Sequence, residues 1–424
     1  MIEKVSLFLS KKDFFNFFLL CCILLCISLG LEYYNYKQLT KFDSQLVNAT
    51  VLKQYTKTKY KKGKLKTYQV LKLKSDRGCT FYTTASTKLK DIKYKHITME
   101  IWAGKVDFYD YMHSFYSFSK IIEVHPDKSY KTQLNSLINE QHKYKDISLV
   151  YQALFTAKQL PLELQKIFSS LGISHLIAIS GFHLGVLSGI LFFLIKYPYK
   201  FLQKRYFPYR SLKVDTFIII SISLLVYLLF LDTPPSLLRA FVMLLIGFLL
   251  YDRGLKIVSM QTLFLTIVLI LVIFPRLYFS IGFWLSIAGV FYIFLFLLHY
   301  KDRSKIWQFL MLPLWLYFTM LPYSIIIFGN FSIYHPLSII WTGLFTLFYP
   351  IGIFLHLIGY GNLLDPILSL LMHLETHTVK IVVDLKFLFI EMGLSLLALY
   401  QRIFMYLLLM YLGGFFIYAI NNVT

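Results

Sequence analysis

His175, Ser180 and His183 fall within the run SHLIAISGFHLG, residues 174–185, at the front of a long apolar stretch. A serine next to glycine, with histidine at hand, has the composition of an acyl-transfer site: the hydroxyl attacks, an imidazole takes its proton, and amide groups hold the oxyanion. The spacing argues against the simplest version. Ser180 and His183 are i, i+3 neighbours on one helix, so the base is expected from another segment. His299 and His356 sit near the inner ends of their spans, at the wrong depth, and His335 lies in an outer loop. Two other chemistries use the same residues. Gly181, Gly185 and Gly189 repeat every fourth position and offer a small-residue stripe for helix packing, with hydrogen bonds from serine and histidine across it. Alternatively, Ser180-Gly181 breaks the helix beside a polar cavity, and the polar side chains line a path for a polar substrate.

Two further runs belong with this one. DTPPSLLRAFVMLL begins a span at two prolines, which suits a helix start, and puts Arg239 about a turn inside. There an arginine either snorkels to the headgroups or meets a phosphate or carboxylate. In IGFWLS, Gly282 and Ser286 form a small-xxx-small pair, for which packing is the ordinary use.

The strongest charge feature lies elsewhere. KQYTKTKYKKGKLKTYQVLKLK, residues 53–74, holds Lys53, Lys57, Lys59, Lys61, Lys62, Lys64 and Lys66 with no acid between them, and interleaves Tyr55, Tyr60 and Tyr68. Lysines neutralise phosphates and release counterions, and aromatic faces stack on unpaired bases at roughly 1–3 kcal/mol per base. Single-stranded nucleic acid is one partner this pattern fits. Anionic lipid headgroups are the other.

The elements that must carry these residues follow from composition. The chain has 424 residues, 57% hydrophobic and 15% charged, with mean hydropathy +0.61. A soluble domain is nearer a quarter charged, and several runs approach the ~20 apolar residues that cross a bilayer. The expected fold class is a polytopic α-helical membrane protein with a small external β-rich, OB-like domain; a membrane barrel would alternate in ~10-residue segments instead. Residues 1–31 read as an uncleaved anchor helix after Lys4, Lys11 and Lys12. Residues 32–146 read as the basic OB-like domain, with strands in NATVLKQYTKT, LKTYQVLKLKS, CTFYTTAS, HITMEIWAGKVDFY and FYSFSKIIEV and turns at Gly63 and Gly78; an irregular sandwich fits the strands nearly as well. Its one cysteine, Cys79, has no partner for a disulfide there.

Residues 147–171 read as an amphipathic interfacial segment and 172–424 as the multi-span part. Spans are placed near 173–196, 214–231, 236–251, 258–274, 279–299, 306–328, 337–358 and 403–420. Residues 363–400 hold His373, Glu375, His377, Asp384 and Glu391, too polar for a simple span; an interfacial helix or re-entrant pair is expected. Basic loops at 197–213, 252–256 (Arg253, Lys256) and 301–305 fall on one side with the N-terminus, which places that side in the cytoplasm and residues 32–146 outside.

Together these runs resemble the ComEC family of competence proteins, inner-membrane DNA channels of natural transformation. LGISHLIAISGFHLG carries the family's glycine, histidine-leucine and A-x-S-G-x-H positions as Gly172, His175, Leu176, Ala178, Ser180, Gly181 and His183. PPSLLRA matches at Pro234, Pro235, Arg239 and Ala240, and G-F-x-L-S at Gly282, Phe283, Leu285 and Ser286, with Trp284 at a position that is often glutamine. The resemblance implies passage of single-stranded DNA inward, with His175, Ser180, Gly181, His183, Arg239 and Ser286 along its path and the lysines and tyrosines of 53–74 capturing it. Many relatives end in a metallo-β-lactamase-like domain. The sequence has no H-x-H-x-D-H cluster, so it is read as a short form without metal or other cofactor, and strand degradation is expected from a separate nuclease. No G-x-x-x-x-G-K-[ST] loop is present, so any motor is a separate protein. A periplasmic DNA-binding protein, membrane lipid and a second copy of the chain are the other expected partners. The remaining alternatives are an intramembrane serine protease and a small-solute or lipid transporter.

Overall fold

The computed structural model describes residues 10–61, 64–125, 130–252, 258–374 and 378–422, without the side chains of Lys61 and Lys64. Lys4, Lys62, Gly63, Arg253, Lys256, Glu375 and His377 lie outside the described residues. The chain forms two compact units, one of Ser10–Thr132 with Val268–Ser280, the other of Gln133–Ile267 with Ile281–Thr424.

The first unit opens with α1, Lys11–Leu39, a 29-residue helix. Ser10 and Asp13 cap it reciprocally, each side chain bonding the other's backbone N–H at 3.1 Å. Six strands follow: β1 Gln45–Lys61, β2 Lys64–Ser75, β3 Thr80–Ala85, β4 His96–Trp102, β5 Phe115–Tyr116 and β6 Phe118–Val124, with α2, Phe108–His113, between β4 and β5. Their order is β5-β3-β2-β1-β4-β6. Only Ser117 separates β5 from β6, yet they pair with opposite edges of the sheet, β5 with β3 and β6 with β4. The sheet must therefore curl until its edges meet. Ser117 stitches the seam: its N–H donates to Tyr82 O and its hydroxyl to Trp102 O, both at 2.9 Å. Alternate residues fill the interior, including Val51, Leu71, Leu73, Phe81, Ile97 and Met99, all fully buried. The expected strand HITMEIWAGKVDFY ends early: the chain turns at Ala103–Val106, and Asp107 precedes the helix α2. Cys79 is free and buried, and burial pushes its thiol up.

The hairpin β1–β2 outgrows the barrel. β4 covers β1 only at Gln45–Thr50, and β3 covers β2 only at Gln69–Lys74. From the pair Lys57↔Tyr68 outward the ribbon has two strands alone, five residues each or about 17 Å.

The second unit is helical: α3 Tyr130–Glu140 leads into it, then α4 Lys145–Thr156, α5 Leu162–Ser170, α6 Ser174–Ile177, α7 Gly181–Tyr206, α8 Leu212–Phe230 and α9 Pro235–Asp252. After α10, Met260–Ile273, come α11 Ile281–Tyr300, α12 Lys305–Phe328, β7 Asn330–Phe331, α13 Ser338–Leu357, α14 Asp365–Met372, β8 Val379–Lys380, α15 Lys386–Ala398 and α16 Arg402–Asn421. Among the described residues eight helices are long and apolar enough to cross a membrane: α1, α7, α8, α9, α11, α12, α13 with its leading turn, and α16. The span expected at 258–274 is shorter: α10 has 14 residues, about 21 Å of helix. α4 and α5 bury Val150, Tyr151, Leu154 and Phe168 in a core shared with α13 and α14.

Candidate functional site

The run SHLIAISGFHLG does break. α6 ends at Ile177, Ala178 and Ser180 are extended, and α7 starts at Gly181. Ser180 is the N-cap of α7: its Oγ accepts from Phe182 N at 3.3 Å, and its own N–H donates to His183 Nδ1 at 3.2 Å. Serine at N-cap and histidine three residues on form a capping box with imidazole in the place usually held by Glu or Gln. His183 Nδ1 lies 3.2 Å from Ser180 Oγ, so the histidine beside the serine is its own i+3 neighbour, not one from another span. A hydrolase would need the far nitrogen oriented by an acid. His183 Nε2 is buried without a hydrogen-bond partner, and the ring lies edge-on to Tyr349 at 4.5 Å and to Phe345 at 5.5 Å, both on α13.

A cap makes a test. Ser180→Ala removes one oxygen from the helix start and is expected to cost ~1 kcal/mol of stability, and Ser180→Asn restores the acceptor and is expected to recover it. Thermal unfolding of the purified chain reads both. A nucleophile behaves differently: asparagine would be as inactive as alanine.

Gly172 is held to glycine by its backbone, and Gly181 sits in a tight place. Gly172 has φ +72°, and a Cβ there would stand 3.2 Å from the backbone of His335, whose Nε2 bonds Ser169 O at 2.9 Å. A Cβ on Gly181 would lie 3.1 Å from Ala240 Cβ and 3.2 Å from an Arg239 terminal nitrogen. The stripe does not continue, because Gly185 and Gly189 have nothing within 4 Å of an added Cβ.

Arg239 is the centre of the arrangement. It is only 6% exposed, and its side chain runs inward instead of snorkelling: Nε donates to Ser286 Oγ of α11 at 2.8 Å, and NH1 reaches Met243 Sδ at 3.1 Å, one turn deeper on α9. Ser236, near the start of α9, donates to Ile179 O at 2.9 Å and ties α9 to the break before α7. The three runs singled out in the sequence thus meet at one guanidinium. Of its five N–H groups two are used, and no carboxylate pairs with it among the described residues. The positive N-terminal end of α7 faces it across Gly181. Two positive ends thus lie together with no carboxylate pairing among the described residues.

His175 stands apart. It is exposed on α6, with Nε2 3.4 Å from Thr342 Oγ1 of α13.

A protein-family model described as "Competence protein" matches residues 155–422. The chain belongs to the competence protein family. No curated protein and no solved structure matches it. Membership carries a role in DNA uptake, and the eight apolar helices make this competence protein a multi-pass membrane protein.

On the ribbon, register decides which face the cations take. Residues directly opposite in an antiparallel pair share a face. The pairs Lys53↔Lys72, Tyr55↔Val70, Lys57↔Tyr68 and Lys59↔Lys66 therefore put five lysines and two tyrosines on one side. Tyr60↔Leu65 falls on the other, 70% and 68% exposed. The ladder continues to Lys61↔Lys64, and Lys62 is outside the described residues. Like charges directly opposite weaken a pair, and a two-stranded ribbon is marginal to begin with.

Sequence reasoning passed over one polar cluster. His142 Nδ1 bonds Asp365 at 2.9 Å, and its Nε2 meets His356 Nε2 at 3.0 Å, while His356 Nδ1 bonds Gly352 O at 2.7 Å. Burial pushes His142 down and Asp365 up. Tyr151 stacks on His142 at 4.7 Å. His142 lies more than 200 positions from both His356 and Asp365, in no motif, so no local signal marks the cluster.

Proposed function

We propose that this competence protein is an inner-membrane channel that passes single-stranded DNA into the cytoplasm during natural transformation. The observation that carries the reading is Arg239, a buried cation beside a helix N-terminus with, among the described residues, two of its five N–H groups used and no acid to neutralise it. A fold retains such a group where a ligand supplies the anion, because an uncompensated buried charge otherwise destabilises it. A chain of phosphates supplies one anion after another. Ser286 holds the guanidinium in place, Gly181 leaves it room, and Ser180, His183 and His175 shape the aperture around the break before α7.

Capture falls to the ribbon. Lys53, Lys57, Lys59 and Lys66 meet phosphates while Tyr55 and Tyr68 stack on bases, and an anion between Lys59 and Lys66 removes the repulsion across the ladder. Lys61, Lys62, Lys64 and Tyr60, next to them in sequence, are assigned to the same capture. In this reading the N-terminus is cytoplasmic and the barrel lies outside, where a periplasmic DNA-binding protein delivers the strand. A separate motor and nuclease act with it, and lipid surrounds a channel of one or more copies. A transporter of lipid or small solutes is the second reading. It is favoured by Tyr60 and Leu65, which give the ribbon an exposed apolar side suited to a membrane surface.

Uptake of labelled DNA in cells lacking the chain tests the proposal, with DNA outside the inner membrane counted separately from DNA in the cytoplasm. The channel reading expects accumulation outside and none within. Normal cytoplasmic entry overturns it.

A further inference from the structure

α15 reads KFLFIEMGLSLLA and carries one carboxyl, Glu391, with 0% exposure. Its neighbours are hydroxyls. Glu391 Oε1 lies 3.0 Å from the Tyr292 hydroxyl of α11. That hydroxyl lies 3.3 Å from the Tyr323 hydroxyl of α12 and 3.2 Å from Ser395 Oγ, one turn along α15. Ser395 Oγ donates to the Glu391 carbonyl at 2.7 Å. Oε2 is buried without a hydrogen-bond partner. Tyr292 stands near the middle of the 20-residue α11, so the cluster is deep among the helices.

Counting protons decides the state of the carboxyl. Four contacts must be served by the protons of three hydroxyls. The Ser395 proton is taken by the backbone carbonyl. The Tyr323 proton goes to the Tyr292 oxygen. The Tyr292 proton serves Glu391 or Ser395, not both. An ionised Glu391 leaves one contact with no hydrogen in it and leaves Oε2 as a bare buried anion, which is strongly disfavoured. A protonated Glu391 resolves both: Oε1–H donates to Tyr292, Tyr292 donates to Ser395, and Oε2 is a neutral carbonyl oxygen.

Among the described residues no cation reaches Glu391, and Arg402 at the start of α16 lies beside His299 at the far end of α15. Tyr292 and Tyr323 face the carboxyl from α11 and α12. On α16, Tyr411 donates its hydroxyl proton to Phe387 O of α15 at 2.7 Å. At the ends of α15, Lys386 pairs with Asp384 at 3.3 Å and His299 bonds Ala398 O at 2.8 Å. Among the described residues Glu391 has no ion-pair partner.

We infer that Glu391 is a proton-binding site, a carboxyl that holds an exchangeable proton inside the helical unit at neutral pH. Intramembrane acids of this kind serve as proton relays. Release sends the proton to water and leaves a carboxylate that no side chain in place neutralises, so the deprotonated state favours a different packing of α15 that admits water. Proton binding and helix position are thereby linked, whatever the helices carry.

Infrared spectroscopy of the full chain in lipid and deuterated water tests this, since a protonated carboxyl shows a C=O stretch well separated from carboxylate bands. The expected result at neutral pH is a C=O band in the wild type that Glu391→Gln removes and that fades as pH is raised. If Glu391→Gln instead removes a carboxylate band at neutral pH, the inference is overturned. Tyr292→Phe is the second variant: it keeps the acid but removes its partner, so the band shifts to higher frequency, and an unshifted C=O region also overturns the inference. Neither readout depends on DNA entry.

Discussion

Replacing Arg239 by methionine is expected to lower cytoplasmic DNA entry about 10- to 100-fold while leaving the thermal midpoint of the purified chain unchanged or higher. The first figure follows from hydrogen bonds to a charged group, ~1.5–3 kcal/mol, at tenfold per ~1.4 kcal/mol. The second follows from the missing counter-ion: Arg239 is 6% exposed and bonded to a serine and a thioether, neither of which repays desolvation of a full charge. Methionine has similar length and needs no partner. Opposite signs in function and stability are the mark of a residue kept for a ligand. Arg239→Lys is expected to fall between, since an ammonium keeps the charge but not the planar fork that bonds Ser286 while presenting further N–H groups to an anion. Loss of stability in step with loss of DNA entry would make Arg239 a packing residue and sink the anion site.

Reversing Lys57, Lys59 and Lys66 to Glu is expected to weaken binding of labelled single-stranded DNA to the full chain by more than about 100-fold. The slope of log affinity against log salt should drop by about 2, at ~0.7 for each phosphate no longer neutralised. The register puts these three on one face with Tyr55 and Tyr68. Tyr55→Leu with Tyr68→Leu should lower affinity by ~1–3 kcal/mol per base stacked and leave the salt slope nearly unchanged. The two variants together separate charge from stacking. Unchanged DNA binding after charge reversal, with loss of binding to anionic vesicles, would move the ribbon to a lipid surface and favour the transporter reading.

Hydropathy and alternation are properties of a few neighbouring residues, and both were legible. Apolar runs marked seven of the eight placed spans, and alternation marked the strands of the curled sheet. The S-x-x-H of the cap is equally local, although its spacing reads first as a nucleophile and base. At 258–274 the apolar run, already slightly short of a full span, forms a helix of only 14 residues. Spacing misled at Gly185 and Gly189, because a small-residue stripe marks an approach only where another helix is actually laid on it.

What the sequence by itself determined is the class of the protein, its family and the position of each motif along the chain. Tertiary structure decided which of those motifs meet. Gly181, Arg239 and Ser286 come from three helices and join at one guanidinium. His142 reaches Asp365 across 223 positions, and Tyr292 reaches Glu391 across 99. The physical reason is that local patterns record which face of an element is apolar, whereas the partner of a buried polar group is set by how helices distant in sequence pack together. A lone glutamate in an apolar run says that a partner is needed; only the packed bundle supplies the Tyr292 hydroxyl, with no ion-pair partner among the described residues.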